Sequence, residues 1–145
     1  MTTFVHLNPA RFHQNFGVAC DEQKNLFVSD NLHSVIYLIT PGRRISAFVS
    51  IVGPSGLAFD GAGNLYASDT DPYDAVGGIT KIAPDGTQTL VVSGLGGLRG
   101  LAFDLDGNLF AAGHGNNVIY KITPDGSVSI FASGLNVPQY LAVEP

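Results

Sequence analysis

With 145 residues, 45% of them hydrophobic, the chain is about one domain long and can bury a real core. Charged residues make up only 13%, the net charge is −5, and Arg43-Arg44 is the only adjacent basic pair, so there is no basic stripe to neutralise phosphates and nucleic acid is excluded as the main partner. No apolar run is long enough to span a membrane, and the opening MTTFVHLNPARF lacks the basic-then-apolar order of a secretory signal; the compartment is otherwise open.

Residues 2–7 (TTFVHL) are predicted to form a terminal strand. They match Ser129-Ile130-Phe131-Ala132-Ser133 near the other end, because both stretches precede a Leu-Asn pair and then a new apolar strand. The unit GVACDEQKNLFVSD begins at Gly17, GLAFDGAGNLYASD at Gly56, and GLAFDLDGNLFAAG at Gly100. Starts about 40 residues apart mean stacked copies of one supersecondary unit. The repeats fall at approximately 17–55, 56–99 and 100–139, and a fourth start, YLAVEP, predicts a last strand over 140–144.

Each copy predicts four strands, a to d. In the second copy, Gly56 to Asp60 is strand a, Gly61-Ala62-Gly63-Asn64 a turn suited to positive φ, and Leu65 to Asp69 strand b. Ile79 to Ile82 alternates apolar and polar residues as strand c, Pro84-Asp85-Gly86 is a tight turn, and Thr87 to Val92 is strand d. The third copy repeats this with a at Gly100 to Asp104, b at Leu109 to Ala112, c at Val118 to Ile122 and d at Ser127 to Ala132. The first copy keeps the apolar skeleton but carries Gln23-Lys24-Asn25 and Pro41-Gly42-Arg43 where its sisters have Gly-Asn and Pro-Asp-Gly turns. The lone Cys20 has no partner for an internal disulfide, and its place in an apolar strand predicts a buried, unreactive thiol. No helical period persists, so almost no helix is expected.

Four short antiparallel strands per repeat describe a β-propeller blade. The motifs G-[LV]-A-F-D-x-x-G-N-L-[YF] and I-x-K-I-x-P-D-G, as they stand in copies two and three, resemble NHL repeats and the SMP-30/gluconolactonase group of propellers. The fold class expected is therefore all-β: three four-stranded antiparallel blades plus extra terminal strands. A closed propeller needs about four to eight blades, so an open row of three would expose apolar blade flanks and strand edges. Head-to-tail pairing of two copies into a six-bladed ring answers that need and makes the chain its own first partner. A fragment of a longer propeller is the alternative.

The short a–b and c–d turns share one face, and the longer, variable b–c and d–a connections the other, where binding residues are expected. The loop after Asp69 is the longest of the b–c loops; it offers Asp69, Asp71 and Asp74 as oxygen donors for Ca2+ or another divalent cation, with Tyr73 beside them as a stacking group. The bland alternative is a solvated acidic loop. Of the four histidines, His33 and His114 lie in b–c loops and His13 in the first d–a connection, with Asn116 and Asn117 next to His114. Arg99 precedes strand a of the third repeat and suits an anionic ligand or a salt bridge. No nucleophile elbow, phosphate loop or zinc spacing occurs, and no catalytic residues are assigned. The resemblance implies a divalent-cation lactonase site, but that group's ligand set does not map onto these positions. The expectation is a non-enzymatic binding or scaffold module presenting its loop-rich face to a protein or small ligand. A metal-assisted lactonase-like hydrolase or lyase is the alternative.

Overall fold

The computed structural model describes residues 17–70 and 77–144. Among these the secondary structure is all strand and turn, in three four-stranded antiparallel meanders. The first sheet contains β1 (Val18–Cys20), β2 (Leu26–Asp30), β3 (Val35–Ile39) and β4 (Ile45–Ser50). The second contains β5 (Pro54–Phe59), β6 (Leu65–Asp69), β7 (Ile79–Ile82) and β8 (Gln88–Val92), and the third β9 (Leu98–Phe103), β10 (Leu109–Gly113), β11 (Val118–Ile122) and β12 (Val128–Ala132). Strand order in space follows strand order in sequence.

The repeated Asp and Asn of the a–b turn explain why each turn closes alike. Asp60 accepts the Asn64 backbone N–H at 2.8 Å on one oxygen and the Asn64 amide at 2.8 Å on the other. Asp104 and Asn108 repeat this at 2.8 and 2.7 Å, and Asp21 and Asn25 at 2.8 and 2.7 Å. The fourth turn residue takes a left-handed conformation in every copy: φ is 82° at Gly63, 80° at Gly107 and 63° at Lys24. The c–d turns do the same at Gly86, Gly126 and Arg43. The first copy thus keeps its sisters' turn geometry without the glycines that make it easy.

In each sheet the third and fourth strands slip register at one place, leaving Phe48, Val91 and Phe131 as the extra bulge residues. Side chains alternate across a strand, so each sheet turns one apolar set forward and one backward. Phe27, Ile36, Leu57, Leu65, Ala67 and Ile82 form the core between the first two sheets. Phe27 packs edge-on against Phe48 (5.1 Å) and Phe59 (5.2 Å). Between the second and third sheets, Ile79, Leu98, Leu101, Leu109, Ala111 and Tyr120 are among the core residues, and Tyr66 meets Phe103 at 4.9 Å.

A hydroxyl relay ties neighbouring inner strands together. The Gly17 N–H donates to Ser29 Oγ at 2.7 Å, which donates to the Ser55 carbonyl at 2.7 Å. The Gly56 N–H likewise reaches Ser68 Oγ at 2.8 Å, which donates to the Arg99 carbonyl at 2.5 Å. In the third sheet Ala112 stands where the serine would be, and Gly100 N–H donates directly to Gln139 O at 2.9 Å. Contact at these seams is so close that a Cβ on Gly56 would lie 1.9 Å from the Arg99 carbonyl oxygen.

Two expectations change. Cys20 is exposed rather than buried: it is the last residue of β1, where the chain leaves for the surface turn, and its neighbour Ala19 is the one that packs on the core. Residues 140–144 form no strand, because no ladder partner for them exists among the described residues. They nonetheless run along Gly100 as the next inner strand would. The strand expected over 2–7 lies outside the described residues.

Candidate functional site

The b–c and d–a connections gather on one face, as expected. Asp30, the last residue of β2, has a fully buried side chain. One of its oxygens accepts the His33 backbone N–H at 3.1 Å, and the other lies 2.8 Å from His33 Nδ1. The imidazole is thereby fixed while about half of it (48%) stays exposed. Asn31 Nδ2 donates to Thr70 Oγ1 at 2.9 Å, linking the b–c loops of the first and second sheets.

On the third sheet, Arg99 of β9 stands near His114. Burial pushes the His114 imidazole below its ordinary pKa, and the Arg99 guanidinium pushes it further the same way. Asn116 and Asn117 serve the scaffold. Asn116 Nδ2 donates to Leu95 O (2.9 Å) and Tyr120 OH (2.8 Å). Asn117, at φ 58°, accepts the Val137 N–H on its side chain at 3.0 Å and the Leu135 N–H on its carbonyl at 3.1 Å. Asp69 closes β6, its N–H donating to Gly78 O at 2.9 Å. His13, Asp71, Tyr73 and Asp74 lie outside the described residues. Among the described residues no three His, Cys, Asp or Glu side chains gather in a group that would hold a metal ion.

Between the inner strands lies a hollow of about 300 Å3, lined by Gly17, Ser55, Gly56, Arg99, Gly100 and Tyr140 among others. Glycines and apolar residues make up most of the lining, and Arg99 is the charged residue in it. The structure therefore brings Arg99 and His114 together on this face and assigns Asn116 and Asn117 to loop clamps. The buried Asp30 under His33 was not singled out from sequence, although the Asp-x-x-His spacing that permits it is visible.

No protein-family model matches the chain, and no curated protein matches its sequence. Solved structures do match. Virginiamycin B lyase from Staphylococcus aureus superposes with a TM-score of 0.69 at 13% identity, over 86% of this chain and 44% of that one. A gluconolactonase from Xanthomonas campestris gives 0.68 at 19%, over 84% and 49%. A chain of a nidogen/laminin complex gives 0.70 at 23%, over 80% and 46%.

The chain is built of β-propeller blades. The three sheets are consecutive blades, like those of the lyase, lactonase and NHL-type propellers. The chain spans about half the length of the solved chains it matches.

Proposed function

We propose that the chain is a non-enzymatic propeller module that associates with a second copy of itself and offers its loop-rich face to a protein or small ligand. One observation carries this reading. The forward face of the third blade holds the same residues that seal the two inner seams, yet it is open. Phe110 occupies the place of Phe27 and Tyr66, Ile119 that of Ile36 and Ile79, and Phe131 that of Phe48 and Val91. Phe110 turns to its own blade's Phe131 at 5.0 Å, and Phe131 remains 64% exposed. An apolar sheet face of this kind marks an interaction surface.

The contact need not be head to tail. Val28 and Ile39, on the far face of the first blade, are already buried in the single chain, whereas Phe131 on the far face of the third is open. Apposition of two third-blade faces about a twofold axis would cover that surface on both copies, and the surface is then its own complement. Light scattering should give the mass of two chains, falling to one chain for Phe131→Asp. In a Cys20→Ser background, Ser129→Cys, which pairs with Lys121 on the same face as Phe110, should form a disulfide between copies, as only the twofold arrangement brings residue 129 to itself. A single-chain mass at all concentrations would end the self-association reading.

A further inference from the structure

A second hollow, larger than that between the inner strands, lies on the opposite face from the expected site. It is a cleft of about 570 Å3 between the first and second blades, opening among their a–b turns. Its floor is apolar: Phe27, Leu38, Phe48, Phe59, Leu65 and Ile82. Its rim holds Asp21, Glu22 and Asp60, with the exposed Cys20 beside them.

The neighbouring seam is an internal reference, because the same positions recur there with different residues. Where the first blade has Phe27, Leu38 and Phe48, the second has Tyr66, Lys81 and Val91. Lys81 Nζ lies 5.8 Å from the Tyr66 ring centre and 4.0 Å from an Asp60 oxygen, so the second blade supplies its own ammonium over an aromatic ring beside a turn carboxylate. The first blade keeps the aromatic ring (Phe27) and the turn carboxylate (Asp21), but puts an alkyl group in the ammonium's place. The acidic rim is held in place by the turns. Asp21 and Asp60 each accept two hydrogen bonds from the asparagine four residues on. For Asp60, burial acts to raise the pKa, but the Asn64 and Ala62 hydrogen bonds and the Lys81 charge together bring it below the ordinary value, so the carboxylate stays charged.

We infer that this cleft binds a small amphipathic cation, an ammonium bearing an aromatic or branched alkyl group. The hydrocarbon part would lie over the partly exposed Phe48 and Phe59, above the buried Phe27, and the positive charge would face Asp21, Glu22 and Asp60, as Lys81 faces Asp60 in the sister blade. Small-ligand pockets commonly measure about 300–1,000 Å3 and combine an apolar lining with a few placed polar groups. Cations gain further from aromatic faces and unlike charge. The inference does not rest on self-association, which uses a different blade.

Amide NMR spectra recorded during titration with benzyltrimethylammonium, and separately with phenylacetate, test it directly. The cation should shift the amides of residues 20–25 and 61–63 saturably, and bind about tenfold more tightly than the anion, a difference of about 1.4 kcal/mol. Leu38→Lys installs the residue that the second blade already tolerates at this position, so the fold should survive while cation binding weakens about tenfold. Lys81→Leu should bind the cation at least as well as the parent chain. Equal affinity for phenylacetate, unchanged binding in Leu38→Lys, or shifts confined to Gly56 and Gly100 would each overturn the assignment.

Discussion

Lys24 and Arg43 show how far a fold can overrule a residue. Both sit at left-handed φ, 63° and 64°, at turn positions filled by glycine in the other two blades. A side chain in that conformation is strained by about 1–2 kcal/mol, partly offset by the greater chain entropy glycine would lose. Lys24→Gly and Arg43→Gly should therefore each raise stability by about 0.5–1 kcal/mol, read as a higher urea midpoint. An unchanged or lower midpoint would mean that these turns are not strained. His114 gives a second test at this scale. Its pKa is lowered by burial first and by Arg99 second, so Arg99→Gln should raise it without restoring the ordinary value. Between the folded and unfolded pKa the unfolded chain binds more protons, so the His114 contribution to stability grows as pH rises through that window and is lost on acidification. An imidazole titration by NMR that ignores Arg99→Gln would exclude the electrostatic coupling.

The blade was legible because its signals are local. Turn positions such as Gly63-Asn64 and the alternation in Ile79-Thr80-Lys81-Ile82 are set by neighbours in sequence, and strands β7 and β11 begin and end where the pattern placed them. What joins one blade to the next was not legible, since it depends on groups far apart in the chain. Ser29 and Ser68 read as ordinary strand residues, yet each hydroxyl bridges a glycine N–H of its own blade to a carbonyl of the next. Ser68→Ala leaves a buried donor and acceptor without that bridge and should lower stability by about 1–3 kcal/mol in urea unfolding. A loss below about 0.5 kcal/mol would indicate that the seam closes onto a direct bond, as it does beside Ala112. Cys20 was misread for the same reason: apolar neighbours in sequence do not reveal that a three-residue strand ends at the surface.

At the scale of the molecule, the open third blade links association to stability. If two copies meet there, the melting temperature should rise with protein concentration, since only the folded chain presents the face. The candidate site was legible only in outline. The variable loops indicated a face, but whether a loop asparagine meets a ligand or a neighbouring carbonyl is decided by folding, and Asn116 and Asn117 turned out to brace the connections to Leu95 and Val137. The cleft between the first two blades could not be seen at all, because it arises from side chains on two different copies. The seams have one further consequence. Gly17, Gly56 and Gly100 each begin a copy and each meet the backbone that begins the following one. Excising or duplicating the stretch from Gly56 to Arg99 would therefore rejoin matching ends. The length of this molecule is quantised, and a lineage carrying it can gain or lose whole blades without first having to invent a new joint.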